Sequence, residues 1–247
     1  MPSDVEERIE GLYGHVPGPA EGVLQVGAVA REGDALIVIR IGEHAPESAT
    51  DWFVLSCARA RVDAILVSGS VLRFEPDLFY AAAEPAMAAL WPREAPPWLC
   101  VMTRSGDLPA DHGVWGSAVR PMVYTGPDAD VSHLAESITV VREDAPSPRA
   151  AIRHLLDERG CRSVGVEAGP RVSMPLYDDP LAIDELMLSV FEGELDPKAR
   201  GAVFHDEATL LSRLERVGGP TAVDEPSGRW VFSRLRNSRR GTAAGSR

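Results

Sequence analysis

Apolar residues in this chain fall into short, evenly sized runs rather than one long stretch. Residues 23–30 and 35–41 are apolar and rich in β-branched side chains. They predict two strands joined by the turn Arg31-Glu32-Gly33-Asp34. Residues 63–67, 98–102, 121–125, 138–141, 163–166 and 184–191 predict further buried strands. The intervals between them read as helices. One is capped by Ser48 or Thr50 and carries Trp52, Leu55, Cys57 and Ala58. An alanine-rich one covers 78–90 and stops before Pro92. A third follows Ser147, sets Ala151, Ile152, Leu155 and Leu156 on one face, and ends at Gly160. This alternation predicts an α/β fold with a mainly parallel sheet and helices on both faces.

The two ends of the chain break the alternation. Residues 1–22 open with a short polar helical stretch. Pro17, Pro19 and several glycines then predict a loosely packed lead-in. Near the other end, 207–214 predicts a short helix. Residues 221–225 and 229–235 are joined by Pro226-Ser227-Gly228, a hairpin signal that implies an antiparallel edge. No internal repeat is visible.

Parallel sheets bind ligands at the carboxyl ends of their strands. Three turns fall at such ends: Ser68-Gly69-Ser70, Thr103-Arg104-Ser105 and Glu167-Ala168-Gly169-Pro170. In the third, Gly169 can adopt backbone angles closed to other residues. Pro170 suits the first turn of a helix, where its missing N–H is no loss. A helix start presents N–H groups that suit a phosphate. Many α/β folds have such a junction for structural reasons alone.

Composition narrows the function. The chain has 247 residues, 45% hydrophobic and 25% charged, and no linker divides it, so one folded domain over 23–237 is expected. The last ten positions, 238–247, hold Arg239, Arg240 and Arg247 among Gly, Thr, Ala and Ser and predict a disordered basic tail. No apolar run is long enough to cross a membrane. The acidic start lacks the regions of a signal peptide, which predicts a cytoplasmic protein. A formal net charge of −12 and no basic face in the body argue against a nucleic-acid partner. Cys57, Cys100 and Cys161 lie far apart, and the six histidines are scattered, so no metal site is expected. No Ser-His-Asp or Cys-His set supports a hydrolase.

Three blocks in order carry a resemblance. They are Asp63-Ala64-Ile65-Leu66 leading to Gly69-Ser70-Val71, then Val166-Glu167-Ala168-Gly169-Pro170, then Ile183-Asp184-Glu185-Leu186. Their order and spacing resemble the reductase domain of bacterial riboflavin biosynthesis, the C-terminal domain of RibD and its stand-alone relatives. The similarity runs from about residue 24 to about residue 236. It implies a dihydrofolate-reductase-like fold, with a twisted, mainly parallel sheet and an antiparallel C-terminal edge. It also implies NADPH as cofactor and hydride transfer to a small substrate, in this family 5-amino-6-(5-phosphoribosylamino)uracil. A homodimer formed through the sheet edge and late strands is implied too, and 184–191 is apolar enough to serve.

The resemblance assigns roles residue by residue. Glu167 would face the substrate, Glu32 would stand for an aspartate in the turn after the first strand, and Leu78 would keep a substrate-side position. Gly69, Ser70, Thr103, Arg104 and Ser105 would approach the cofactor, with Arg104 on the 2′-phosphate. Gly169, Pro170, Arg171, Val172 and Ser173 would cradle its diphosphate. Glu32 reads equally as part of an exposed charged hairpin, and Arg104 as a solvated turn. No catalytic side chain is singled out, because the nicotinamide carries the chemistry.

The chain also departs from the pattern. Phe74 and Ala81 replace an aspartate and an arginine that hold the substrate phosphate, and Glu192 replaces a proline. Arg73 is the neighbouring cation that could substitute. Three functions stay open. One is the riboflavin-pathway reductase. A second is an NADPH reductase of the same fold with a less phosphate-dependent substrate. The third is a non-catalytic nucleotide-binding homologue.

Overall fold

The computed structural model describes residues 3–237. The expected basic tail, with Arg239, Arg240 and Arg247, lies outside the described residues. In chain order the elements are helix α1 (Asp4–Tyr13), strands β1 (Gly22–Glu32) and β2 (Ala35–Ile39), helix α2 (Ala49–Arg61), strand β3 (Ala64–Ser68), and helices α3 (Gly69–Phe74) and α4 (Pro85–Leu90). Strands β4 (Trp98–Met102), β5 (Arg120–Thr125) and β6 (Thr139–Arg142) follow, then helix α5 (Pro148–Arg153), strand β7 (Ser163–Val166) and helix α6 (Pro170–Ser173). The last part holds β8 (Glu185–Phe191), β9 (Arg200–Asp206), helix α7 (Glu207–Leu211), β10 (Glu215–Arg216), β11 (Thr221–Glu225) and β12 (Gly228–Arg236). No helix among the described residues is long and apolar enough to cross a membrane.

The chain forms two compact units. Among the described residues one holds 3–18, 24–58 and 183–237, and the other 19–23 and 59–182, so the boundary falls inside α2. In the first unit β8 runs parallel to β1, with Leu24 opposite Glu185 and Ala30 opposite Phe191. On its other side β8 meets β12 antiparallel. β12 in turn pairs with β11 through a tight turn that sets Glu225 opposite Gly228, the expected hairpin. All seven residues of β8 are buried, and both its edges are hydrogen-bonded. The apolar character expected to serve a dimer contact is therefore consumed within the unit, and the expectation of a homodimer must rest on other surfaces.

Two features of this unit were not legible. β9, from a stretch with no clear alternation, pairs antiparallel with β2 through a bulged register. The lead-in packs tightly, not loosely. Ser3 and Glu6 close a capping box on α1, and Val5, Ile9, Leu12 and Tyr13 are buried. Their spacing puts the four on one side of the helix.

The second unit holds the parallel strands in the order β7-β3-β4-β5-β6. β3 pairs with both β7 and β4, and Ser68 lies opposite Met102. Their residues are near-continuous apolar runs, as befits strands covered on both faces. Ser147 caps α5 through Ala150 N at 3.2 Å, and that helix continues as an i→i+5 turn over His154–Glu158. The helix expected over 78–90 forms only from Pro85. Residues 75–84 are irregular because Pro85 pushes Glu84 into extended backbone (ψ 139°) and the freed polar groups find partners elsewhere. Tyr80 N donates to Ser117 Oγ at 3.0 Å, and Ala118 N donates to Tyr80 O at 3.0 Å. Cys57, Cys100 and Cys161 are buried, and no disulfide joins them.

An enclosed ion pair ties two strands of the first unit together. Arg234 on β12 forks onto Glu185 on β8 at 2.9 and 3.1 Å, and both side chains are 5% exposed. Such a pair contributes little net stability when intact, yet removing one partner strands a charge. Glu185→Leu is therefore expected to cost about 3–5 kcal/mol in urea unfolding. A loss below about 1 kcal/mol would show that water relieves Arg234.

Candidate functional site

The three predicted ligand turns lie side by side at the carboxyl ends of β7, β3 and β4, all in the second unit. The first differs from expectation: Ser68-Gly69-Ser70 is not a free turn but the start of α3. Ser68 occupies the cap position, and its hydroxyl shares a 2.7 Å hydrogen bond with that of Ser70. A Cβ on Gly69 would stand 2.8 Å from Leu108 and 3.3 Å from the Thr103 side chain. Glycine there lets the ends of β3 and β4 close on each other, which brings Gly69 and Thr103 together. Thr103 is buried, and its Oγ1 accepts from Gly106 N at 3.2 Å. Arg104 and Ser105 project from that turn and are exposed.

The turn after β7 also differs in detail. Gly169 has φ −61° and ψ 173°, an extended conformation open to any residue, and a Cβ there would meet nothing. The following proline imposes it. Val172 N and Ser173 N both donate to Gly169 O, at 3.0 and 3.2 Å, and the Ser173 hydroxyl reaches the same carbonyl at 3.4 Å. Val172 and Ser173 are thus turned inward and buried. The groups left to meet an anion are the N–H of Ala168, Gly169 and Arg171 and the exposed Arg171 side chain, which have no partner among the described residues. Pro170 has no N–H to offer.

Glu167 is not a lone carboxylate. Arg59 forks onto it, with Nε 2.9 Å from Oε1 and Nη2 2.6 Å from Oε2. Tyr80 OH donates to Oε2 at 3.2 Å, and the Arg59 guanidinium lies 4.3 Å from the Tyr80 ring centre. Arg59 is one of two arginines in the last turn of α2. Arg93 holds it in place by donating to Arg59 O at 3.1 Å and Val62 O at 2.7 Å, carbonyls the helix end leaves open. Glu75 completes the group. Its carbonyl accepts from His112 Nε2 at 3.0 Å, while His112 Nδ1 accepts from Val114 N, which fixes the tautomer.

The charges in this group act on one another. Burial pushes Glu75 upward from its ordinary range; Arg59 pulls it back and Glu167 adds to the rise. Burial, then the Glu167 carboxylate, hold the Tyr80 phenol well above its usual value. Burial lowers Arg59, but the carboxylate of Glu167 more than offsets it and leaves the guanidinium raised. Arg59 uses Nε and Nη2 on Glu167, so Nη1 remains a donor without a partner among the described residues.

The remaining expected residues are placed as follows. Leu78 lies half-buried in the irregular stretch, its N–H bonded to Glu75 O at 3.0 Å. Glu32 belongs to the first unit and pairs with Arg200 at 2.9 Å, the exposed charged hairpin of the alternative reading. Phe74 is 83% exposed. Arg73 donates to Asp107 O at 2.6 Å and so ties α3 to the loop after β4. Sequence reasoning missed Arg59, Tyr80 and Glu75 as site residues. Arg59 read as a helix-ending charge. Tyr80 sat in a segment assigned to a helix, and only its contact with Glu167, 87 positions away, gives it meaning.

No family model matches the sequence, and no curated protein matches it. Solved structures do. A pyrimidine reductase-like protein from Corynebacterium diphtheriae is 17% identical over 93% of this chain and 98% of its own, with a TM-score of 0.63. The fold is that of the riboflavin-biosynthesis reductases. The riboflavin biosynthesis reductase of Saccharomyces cerevisiae matches 94% of this chain and all of its own at 14% identity and a TM-score of 0.59. A deaminase/reductase from Thermotoga maritima matches over 88% of this chain at 17% identity and a TM-score of 0.62. This chain spans 56% of that longer enzyme. The expected dihydrofolate-reductase-like architecture, mainly parallel with an antiparallel late edge, is therefore present.

Substitutions separate the members of the group. Arg59→Gln leaves two neighbouring carboxylates without their cation and is expected to cost about 2–3 kcal/mol in urea unfolding. Tyr80→Phe keeps the ring under the guanidinium and removes one hydrogen bond, for a loss of about 1 kcal/mol. Equal losses in the two variants would mean that Glu167 does not depend on Arg59.

Proposed function

We propose that the chain is an NADPH-dependent reductase that transfers hydride to a small substrate held at Glu167, in the cytoplasm. The observation that carries this reading is the Arg59–Glu167–Tyr80 group at the carboxyl edge of the parallel strands. It offers an oriented carboxylate, a free guanidinium N–H and a phenol in one place. None of these need act as a nucleophile, because hydride transfer asks for none. Its first demand is orientation, which a locked ion pair serves.

The residues present fit an anionic dinucleotide. The unpartnered N–H groups of Ala168, Gly169 and Arg171 and the Arg171 side chain suit a diphosphate, and the exposed Arg104 suits a further phosphate. When bound, NADPH supplies the hydride. The chain's own part is to hold the acceptor against Glu167 and to keep Arg59 charged beside it. Fluorescence titration tests the cofactor: NADPH binds more tightly than NADH, and Arg104→Ala erases most of the difference, a change of about 1–3 kcal/mol. Equal affinity for the two cofactors in the unaltered protein overturns the preference.

Two observations bear on the substrate. Ala81 and the exposed Phe74 cannot hold a phosphate, and Arg73 is engaged with Asp107. Arg59, however, lies against Tyr80, the neighbour of Ala81, and supplies a cation from a different element. The first observation favours a less phosphate-dependent substrate, and the second favours the substrate named for the Thermotoga maritima enzyme, 5-amino-6-(5-phosphoribosylamino)uracil. We infer the less phosphate-dependent one, because Arg59 is already committed to Glu167 through two of its three nitrogens. Following NADPH absorbance with the phosphoribosylamino-uracil decides between them. Turnover of about 1 per second or faster would show that Phe74 and Ala81 do not exclude the phosphorylated substrate. Absent turnover with intact NADPH binding supports the other substrate.

A further inference from the structure

The first unit contains a cavity of about 290 Å³ that the proposed reductase site does not use. Its floor comes from the pairing of β8 with β12. Val231 lies opposite Val190 and Ser233 opposite Leu188, so these side chains share one face of the sheet. Leu235, further along β12, continues that floor, and Leu210 of α7 also lines the cavity. Leu188, Val190, Leu210 and Leu235 are each no more than 4% exposed. Water gains little from such walls, and an apolar body that displaces it is favoured.

The rim is charged and ordered. Arg31 reaches Glu207 at 2.6 Å and Glu192 at 3.4 Å. Arg216 reaches Glu207 at 2.5 Å, and Arg229 reaches Glu192 at 3.2 Å. Three guanidinium groups thus share two carboxylates, and 3 − 2 leaves one positive charge at the mouth. The hydrogen bond from Arg31 holds Glu207 below its ordinary range, so the carboxylate stays ionised and the count stands. Donors are also left over: Arg31 Nη2 and the Arg229 Nη atoms have no partner among the described residues, while Arg31 Nε faces Glu192.

We propose that this cavity is a binding site for a small, branched aliphatic monocarboxylate, its hydrocarbon on the β8–β12 floor and its carboxylate on Arg31 and Arg229. The volume sits at the lower end for small-molecule sites, which limits the occupant to a short chain. One surplus charge matches a monoanion. A cation would add to that surplus, and a neutral amide would leave it unanswered.

Calorimetric titration of the full chain with isocaproate, isocaproamide and isoamylamine tests this. Isocaproate is expected to bind with a dissociation constant on the order of 1 mM. The amide and the amine bind at least about tenfold more weakly. Leu210→Trp fills the floor and abolishes isocaproate binding. Arg229→Gln weakens isocaproate about tenfold and leaves the amide unchanged. No heat with isocaproate, equal affinity for the amide, or unaltered affinity in Arg229→Gln overturns the proposal. Should Leu210→Trp fail to fold by circular dichroism, Arg229→Gln, a rim substitution, decides alone.

Discussion

Parallel pairing of β3 with β7 on one side and β4 on the other is the constraint on which the candidate site rests. It aligns three strand ends that are far apart in sequence. Once they are aligned, the turn after each must share a narrow edge. That crowding explains the local choices: a glycine at 69 against Thr103 and Leu108, a proline at 170 that starts a helix at once, and a carboxylate at 167 that finds its cation on α2. The ion pair follows from the sheet and does not create it. Without the strand register, Arg59 and Glu167 have no reason to meet.

The fold was largely legible because its signals are local. Apolar runs of four to eight residues marked β3, β4, β7 and β8 closely, and Pro226-Ser227-Gly228 marked the hairpin. Where signals were weak or in conflict, the reading failed. Alanine-rich 78–90 has helical propensity, yet Pro85 and the hydrogen bonds that Tyr80 gives to Ser117 and accepts from Ala118 hold its first part irregular. β9 shows no clean alternation because most of it is exposed, and its place is set by pairing with β2.

The site was legible only in outline. Sequence placed Glu167, Gly69, Thr103 and Arg104 at strand ends, and they are there. It could not say that Val172 and Ser173 turn inward, since that depends on which carbonyl their N–H groups find. Nor could it pick Arg59 from among the chain's arginines. Long-range pairs such as Arg59–Glu167 leave no trace in spacing, and one sequence offers no second pattern to set against it.

The three cysteines have a practical consequence. All are buried, and burial pushes the Cys100 thiol to about 12 and that of Cys161 to about 11, so neither supplies thiolate near neutral pH. The folded chain therefore behaves toward a bulky maleimide as though it had no thiol. Ser105→Cys, on the exposed turn after β4, would introduce a single attachment point without first removing the native cysteines. A dye there would sit beside Arg104 and report, by its own emission, any anion that arrives at that turn.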